Sequence, residues 1–484
     1  MSRRLCLALI AAASLAIHLK GIGSPMLDYH YHRQCNTATI ARNYYRNGLH
    51  FGTPQIDWEG DYEGKAATEF PLYMWLMGLL WPLAGLAELW GRVLSAGFSA
   101  LTAIYLFLFL ERRLSKEAAF VSSLVFTALP VEVYFGRTVQ PEAMALFATM
   151  GALYHWDVWL DAPKKKFQWL AATAFAFLAI AHKLPYLYLL APLAALAWLP
   201  PRRRPLWDFW CWGSCLGALA GVFAWYKYAS TGVFVVPAHS GEFLKMLEYE
   251  HLPYFTFFLF FSRLPELAAT YPGLAIGGWG AYELFKTRKL NFFAFWWLAV
   301  AIDQIIGGGY THWHEYTCLP WAPVNAAFIG VGFCELWIKA RGLAAHKRKQ
   351  AQSLLAAAAL SIPIYAAARV GHWYRNGLPY LAGAQAAAAA ASQPEDLFVC
   401  NERTSSAFLF YLDRKGWAWD ATETTFEASR ALLDEKIKDG AKYYASSSER
   451  LALPNLKAWS DYLRSRFKPV YAKDDLVIFK LTGS

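Results

Sequence analysis

Residues 3–33 read RRLCLALIAAASLAIHLKGIGSPMLDYHYHR, and this stretch holds the pattern on which the whole chain is built. Two arginines precede an apolar run that is long enough to cross a bilayer or nearly so. Asp28 and Arg33 follow soon after the run ends. Ionisable groups beside a bilayer are costly and are usually retained for function. The side of the membrane on which such groups lie therefore decides what they can do together.

The composition is that of a membrane protein with many spans. Of the 484 residues, 56% are hydrophobic and 17% are charged, whereas a soluble domain carries charge on about a quarter of its residues. The net charge of +10 comes largely from basic clusters beside apolar runs, where it sets orientation, so it does not indicate a nucleic-acid partner. The seven cysteines have neither zinc-binding spacing nor the pattern of a disulfide framework.

Eleven apolar runs are interpreted as transmembrane helices. Basic clusters follow them at alternate loops, and positive charge marks the cytoplasmic side, so eleven spans put every cluster inside. The first run resembles a signal peptide but lacks a clean cleavage site, and we expect it to remain as the first span. The runs lie near residues 5–22, 91–110, 118–135, 141–160, 167–182, 184–199, 208–227, 265–285, 291–309, 318–338 and 351–370.

One further apolar stretch, residues 71–89, is predicted to stay on the outer side. If it crossed the bilayer, Arg112 and Arg113 would lie outside and every later loop would be inverted. Its prolines and aromatic residues suit a helix that lies at the outer interface. We place it in a first outer loop formed by residues 23–90, which is too long to be a simple connector.

The chain changes character after residue 370. An Ala-rich linker at 371–392 leads into segments such as DLFVCNE, AKYYASS and DDLVIFKL, which alternate with helical patterns and predict a small α/β domain at 393–484. The predicted fold class is an all-α polytopic membrane domain, residues 1–370, followed by this C-terminal α/β domain. The membrane domain has about 11 transmembrane helices and interfacial helices in its first outer loop.

This topology places the ionisable motifs on one outer face. They are Asp28 and Arg33 after the first span, Glu69 before the interfacial helix, Arg137 and Glu142 between the third and fourth spans, Lys183 in an outer turn, and His314, Glu315 and Tyr316 before a late span. Helix capping can account for the acids, an interfacial ion pair for the first two residues, and snorkelling for the lysine. A shared face nevertheless lets them line one cavity.

Metal and nucleotide sites are not indicated. His30 with His32, and His312 with His314 and Glu315, have spacings compatible with a metal. Interfacial histidines beside aromatic residues are more often hydrogen-bonded, and no cysteine joins them. We expect no cofactor, with a divalent metal as the alternative. The chain has no phosphate-binding loop, no dinucleotide motif and no Asp-x-Asp motif, which favours an activated substrate taken from the lipid.

The motifs resemble those of the GT-C superfamily of integral-membrane glycosyltransferases, in particular the protein O-mannosyltransferase and lipid A aminoarabinose transferase group. The resemblance covers about residues 1–370. The matching positions are Asp28 and Arg33, Glu69 before Pro71, Arg137 and Glu142, Lys183 before Pro185, and His314-Glu315-Tyr316 with Pro320. Two positions depart from the pattern: Tyr29 replaces a usual Glu, and Phe70 stands where aminoarabinose transferases carry Lys, which argues against that donor.

The resemblance implies an inverting transfer of a sugar from a polyprenyl-phosphate donor to a hydroxyl acceptor. The acceptor would be a protein, lipid A or another envelope glycan, at the periplasmic face of the bacterial inner membrane. A carboxylate can serve as base, and cations can stabilise the leaving phosphate. Asp28 is the expected base, with Glu142 orienting the acceptor or sugar. The expected binding residues are Arg33, Arg137, Lys183 and Tyr316 around the phosphate, and Glu69, His314 and Glu315 completing the pocket.

Three other functions remain open. A transporter or flippase for lipid-linked sugars would use the same cavity, although the spans show no internal repeat. An O-antigen-type ligase would also take a polyprenyl-linked glycan. A non-catalytic assembly scaffold would use the C-terminal domain for interactions. Transfer or hydrolysis of a sugar from polyprenyl phosphate by the purified protein would separate a glycosyltransferase from the last two of these alternatives.

Overall fold

The computed structural model describes residues 1–67, 69–83, 87–200, 202, 204–234, 251–287, 291–402 and 405–481. The chain divides by its contacts into two compact units. The described parts of residues 1–22, 92–228 and 239–373 form the first unit. Those of residues 23–91, 229–238 and 374–484 form the second. The domain boundaries expected from the sequence stay a prediction.

Every apolar run predicted to span the membrane falls on helical segments of the described chain. These and their neighbouring helices are α1 (Arg3–His18), α2 (Tyr31–Arg46), α3 (Leu72–Leu80), α4 (Ala87–Leu110), α5 (Lys116–Ala128), α6 (Pro130–Phe135), α7 (Glu142–Asp161), α8 (Lys166–His182), α9 (Leu190–Trp198), α10 (Phe209–Ala229), α11 (Leu252–Phe258), α12 (Tyr271–Thr287), α13 (Phe292–Ile306), α14 (Gly308–Trp313), α15 (Trp321–Arg341) and α16 (Ala345–Val370). Leu259–Ala268 is π-helical, and Leu184–Leu189 and Glu315–Cys318 are 3₁₀-helical.

Proline divides some of these runs. Leu129 is extended because Pro130 follows it, so the third predicted span consists of α5 and α6. Pro185 likewise opens the 3₁₀ segment before α9. Among the described helices, four are long and apolar enough by length and composition to cross a membrane: Glu88–Leu110, Phe209–Ala229, Trp321–Arg341 and Ala345–Tyr374. The count of eleven spans stays a prediction.

The basic clusters of the first unit meet one another through shared acids. Arg112 and Arg202 both pair with Asp157, at 2.5 and 2.9 Å, and both also reach Asp161, each at 2.6 Å. Further pairs join Arg113 to Asp157, Arg3 to Glu111, and Lys286 and Lys339 to Glu283. The loops in each group therefore lie at the same end of their helices, which is what the alternate placement of positive charge requires.

The C-terminal part of the second unit confirms the predicted α/β domain. Its five strands are β1 (Leu397–Asn401), β2 (Gly416–Trp419), β3 (Ala441–Ser447), β4 (Lys468–Lys473) and β5 (Leu476–Lys480), and its helices are α17 (Ala384–Ala391), α18 (Ala407–Leu412), α19 (Phe426–Lys438), α20 (Ser448–Leu451) and α21 (Lys457–Arg466). The sheet order is β2-β1-β3-β5-β4. β1 runs parallel to β2 and β3, whereas β5 is antiparallel to β3 and β4.

The first outer loop packs against this sheet within the second unit. The Arg42 guanidinium of α2 pairs with Asp57 at 2.7 Å and with Asp413 at 2.8 Å. The loop also runs beside the start of β2, where the Gly416 amide donates to the Asp57 carbonyl and the Gly60 amide donates to the Gly416 carbonyl. Gly416 has a φ of 155°, and a Cβ there would lie 1.7 Å from the Phe398 carbonyl oxygen, so only glycine fits. Loop and domain are thus one folded body.

Candidate functional site

A largely buried ion pair joins two of the predicted site residues in the first unit. Lys183 Nζ is 2.9 Å from Glu142 Oε1, and the two side chains are 14% and 4% exposed. Glu142 opens α7 directly after Pro141, a favoured place for an acid because of the helix dipole. Lys183 is extended between the end of α8 and the 3₁₀ segment that contains Pro185. The two turns therefore present opposite charges to each other.

This ion pair lines a pocket that is partly open to solvent. The pocket brings together residues from α7, the 3₁₀ segment before α9, α13 and the chain around Tyr316. Its lining residues are Glu142, Lys183, Pro185, Tyr186, Asp303, Gln304, Gly307, Tyr310, Thr311, Tyr316, Thr317 and Pro320. Three of the residues singled out from the sequence, Glu142, Lys183 and Tyr316, thus share one cavity.

Aromatic residues form one wall of the pocket. The hydroxyl groups of Tyr310 and Tyr316 are 2.5 Å apart, and Lys183 Nζ lies 5.8 Å from the centre of the Tyr316 ring. The His314 ring stands 4.1 Å from that of Tyr310 and 5.3 Å from that of Tyr316. His314 therefore packs against both tyrosine rings, and it is not itself part of the pocket lining.

Glu315 pairs with a residue that sequence reasoning missed. Its carboxylate is 2.8 Å from the Arg263 guanidinium, and both side chains are less than a tenth exposed. Arg263 also donates to the His312 carbonyl at 2.7 Å and lies over the Phe258 ring. The signal was present, because Arg263 stands within the apolar sequence LFFSRLPELA.

Arg137 is fully buried at the junction that follows α6. Its guanidinium donates to the Gly21 carbonyl at 3.3 Å and lies 5.0 Å from the centre of the Tyr134 ring. It does not line the pocket around Lys183. A fully buried arginine needs other groups to compensate its charge, so apolar packing alone does not explain an arginine at this position.

The remaining predicted residues lie in the second unit. Asp28 is buried, and Gln34 donates to its Oδ1 at 2.6 Å. Arg33 and Glu69 form an ion pair. His30, with a φ of 59°, precedes α2, so Asp28 lies before the helix and Arg33 lies in its first turn. That Asp28, Arg33 and Glu69 share a cavity with Glu142 and Lys183 stays a prediction.

Two polar residues of the pocket were also missed. Asp303 and Gln304 stand in the last turn of α13, within the run FFAFWWLAVAIDQII. An acid inside an apolar run is the signal that identifies Asp303. For metals, no group of three His, Cys, Asp or Glu side chains able to hold an ion occurs among the residues that the structure describes. That the protein needs no metal stays a prediction.

Comparison with known proteins agrees with the sequence resemblance. Residues 67–227 match the family described as dolichyl-phosphate-mannose-protein mannosyltransferase. No curated protein matches the chain in sequence.

Two solved structures are similar over nearly the whole chain. ArnT from Cupriavidus metallidurans, bound to undecaprenyl phosphate, has a TM-score of 0.67 at 16% identity, covering 100% of this chain and 99% of its own. The Archaeoglobus fulgidus oligosaccharyltransferase, tethered to an acceptor peptide, has a TM-score of 0.64 at 12% identity, covering 99% of this chain and 74% of its own. The chain therefore has the fold of these two proteins. This fold and the family match over residues 67–227 together agree with the resemblance to the GT-C superfamily.

Proposed function

We propose that the protein is an inverting glycosyltransferase that moves a sugar from a polyprenyl-phosphate donor to a hydroxyl acceptor. The observation that carries this proposal is the Glu142–Lys183 pair at the wall of an open pocket. The fold is that of ArnT, which was solved with undecaprenyl phosphate, and of an archaeal oligosaccharyltransferase solved with a dolichol-phosphate. A lipid phosphate is therefore the donor class that the comparisons favour.

The ion pair suits a phosphate ligand. A largely buried lysine needs an opposite charge, and Glu142 supplies it. A donor phosphate can replace Glu142 as the partner of the Lys183 ammonium group, because a phosphate is also an anion and accepts hydrogen bonds from that group. Glu142 would then be available to the acceptor hydroxyl or to the sugar. Lys183 would stabilise the charge that develops on the phosphate as it leaves.

Asp28 is the proposed base. A carboxylate within reach of the acceptor hydroxyl can remove its proton as the bond to the anomeric carbon forms on the face opposite the phosphate. The transition state has the character of an oxocarbenium ion, which nearby carboxylates stabilise. Arg33 and Arg137 are proposed to assist the phosphate. The Arg33–Glu69 pair, together with His314, Glu315 and Tyr316, would complete the site.

We place the site at the outer face of a bacterial inner membrane, with eleven spans. The shared inner acids that join the basic clusters support this arrangement. The acceptor would be a protein, lipid A or another envelope glycan. A flippase or an O-antigen-type ligase is the alternative, because either would need a pocket for a lipid-linked sugar.

The test uses the full-length protein in nanodiscs with a panel of undecaprenyl-phosphate sugars and an envelope extract as acceptor. Mass spectrometry follows the release of undecaprenyl phosphate and the mass added to the acceptor. We expect release from at least one donor, and we expect Lys183→Ala to weaken donor binding. Lys165→Ala is the matched control, because Lys165 is exposed at the other end of α8.

Two outcomes would contradict the proposal. Release from no donor, with no mass added to any acceptor, would exclude the transferase. Movement of an intact lipid-linked sugar across the bilayer of a proteoliposome, without release, would instead identify a flippase. A donor affinity that Lys183→Ala and Lys165→Ala leave equally unchanged would remove Lys183 from the phosphate site.

A further inference from the structure

The pocket beside Lys183 contains polar groups that the proposed mechanism does not use. Asp303 and Gln304 project from α13, and Tyr186 projects from the 3₁₀ segment that follows Lys183. The proposed binding of the donor phosphate by Lys183 does not call for any of these three groups. A different part of the ligand must account for them.

Asp303 is not explained by the stability of its helix. It stands in the last turn of α13, where the negative end of the helix dipole disfavours an acid. The surrounding run is apolar, and a carboxylate there is costly. Among the described residues, Asp303 receives a hydrogen bond from Gln304 Nε2 at 3.1 Å and takes part in no ion pair. An acid that opposes its own helix and lines a pocket points to a ligand.

Two neighbouring polar atoms independently indicate that a ligand binds here. Gln304 and Tyr186 are 3% and 4% exposed. Within the part of the chain that the structure describes, the Gln304 Oε1 atom and the Tyr186 hydroxyl are buried without a hydrogen-bond partner. A buried polar atom without a partner costs about 1–3 kcal/mol. Two such atoms in one wall of an open pocket are explained if a ligand supplies their partners.

The chemistry of these groups selects the ligand. An ionised carboxylate and an amide oxygen only accept hydrogen bonds, and a tyrosine hydroxyl both donates and accepts. A ligand that satisfies all three must carry several hydroxyl groups close together. Tyr310 and Tyr316 also line the pocket and supply aromatic surface against which the apolar face of such a ligand can pack. A sugar ring combines both properties.

We propose that Asp303, Gln304 and Tyr186 form a subsite that binds the hydroxyl groups of the sugar carried by the donor. This inference rests on the proposed function, because the sugar is joined to the phosphate that Lys183 binds and must lie in the same pocket. The subsite would select among donor sugars by the hydroxyl groups that they present. Asp303 would accept hydrogen bonds from neighbouring hydroxyl groups, since its carboxyl group has two oxygens.

The experiment is a set of double-mutant cycles on transfer by the full-length protein in nanodiscs. The donor is the undecaprenyl-phosphate sugar that the wild type uses, together with its monodeoxy analogues, each lacking one hydroxyl group. Wild type, Asp303→Asn and Tyr186→Phe are compared by kcat and KM for each donor. Two controls match these changes: Glu335→Gln removes a carboxylate from α15 outside the pocket, and Tyr188→Phe removes a buried hydroxyl that does not line it.

We expect removal of one particular hydroxyl group to lower the wild-type kcat/KM by about tenfold to a hundredfold. Removal of the same hydroxyl group should lower the kcat/KM of Asp303→Asn much less, because this variant already lacks the carboxylate that binds that hydroxyl. Tyr186→Phe should show the same behaviour at a neighbouring hydroxyl. Both variants should raise KM for the complete sugar more than they lower kcat. The two controls should keep the full wild-type penalties.

The melting temperature separates binding from support of the fold. Removing an acid that opposes its helix dipole should leave the melting temperature of Asp303→Asn unchanged or higher. A fall in melting temperature with equal deoxy-sugar penalties in wild type and variants would overturn the inference and leave the proposed function intact. A wild type that transfers no sugar from any donor would overturn the proposed function, and this inference with it.

Discussion

Asp28 offers the sharpest test at the scale of a single residue. Asp28→Asn keeps the shape of the side chain and the oxygen that accepts from Gln34, but it removes the basicity. We expect transfer to fall by about 10²–10⁴-fold, the usual contribution of a general base. Donor binding should remain. Donor affinity and single-turnover rate, measured side by side, check this expectation.

Asp61→Asn is the control for this change, because Asp61 is exposed in the same outer loop. It should leave both quantities at their wild-type values. If Asp28→Asn turned over normally, Asp28 would only anchor the end of the first helix. Glu142 would then become the leading candidate for the base.

Glu402 predicts a pH dependence in the second unit. Burial raises the pKa of Glu402 to about 8, although its Oε2 accepts from the Phe408 amide at 3.1 Å. The folded state therefore holds the proton more tightly than the unfolded chain, whose glutamate has the ordinary pKa of about 4.3. The stabilisation is complete below about pH 4.3 and is lost as the pH rises to about 8.

Thermal unfolding of the full-length protein between pH 4 and 9 measures this effect in the transition of the second unit. Glu402→Gln stays neutral, so the wild type should lose stability relative to this variant as the pH rises. The same pH dependence in both proteins would show that Glu402 is not its source.

The residues found from the sequence are those at the edges of apolar runs. Glu142, Lys183 and the Arg33–Glu69 pair were recognised because each charge follows or precedes such a run, where it is conspicuous. Asp303 was missed because it lies inside a run that was interpreted only as hydrophobic, and Arg263 because it stands in the outer segment just before the run at 265–285. Which acid faces which base could not be predicted, since that depends on how helices distant in sequence pack.

Among the elements, α3 is the one on which the predicted membrane topology depends. It has nine residues, a length of about 14 Å, whereas the hydrocarbon core is about 30 Å thick. We expect that it does not cross the membrane and that the loop between α7 and α8 faces the cytoplasm. Lys165→Cys, at an exposed site in that loop, should resist a membrane-impermeant maleimide in intact cells.

The labelling experiment needs a positive control and a quiet background. Glu427→Cys, exposed on α19 of the C-terminal domain, should be labelled from outside. The partly exposed native thiols, Cys215 and Cys334, are replaced by serine in both variants. Strong labelling at position 165 in intact cells would overturn the eleven-span arrangement and move the later motifs inside.

Strands were harder to predict than helices. Leu397–Asn401 and Leu476–Lys480 were found because buried strands are strongly apolar, and β1 is buried throughout. β2 has only four residues, and most of them are partly exposed. β4 is an edge strand that carries lysines and a proline, features that protect a sheet edge and hide the strand from sequence patterns.

At the scale of the whole molecule, the joint between outer loop and C-terminal domain should govern the stability of the second unit. Asp413 pairs with both Arg42 and Arg46, at 2.8 and 2.7 Å. We expect Asp413→Ala to lower the free energy of unfolding by about 1–3 kcal/mol, because Arg42 is buried and loses a charged partner.

Thermal unfolding of the full-length protein measures this loss. The control is Asp434→Ala, which breaks surface pairs with Arg430 at 3.8 Å and with Arg466 at 3.6 Å. Its cost should stay below about 1 kcal/mol, as is usual for exposed pairs. Equal effects of the two changes would mean that the joint contributes no more than an ordinary surface contact.

The same joint has a consequence for biosynthesis. Arg42 and Asp413 are 371 residues apart in the chain, and at 5–20 residues per second the ribosome needs roughly 20 to 70 seconds to pass from one to the other. During that time the loop that carries Asp28 has left the ribosome without the sheet that completes its fold. A chain cut short before β1 would therefore insert its helices yet present an unfinished loop to proteases. Only a chain translated past β1 and Asp413 can complete the fold of the loop that carries Asp28, the proposed base.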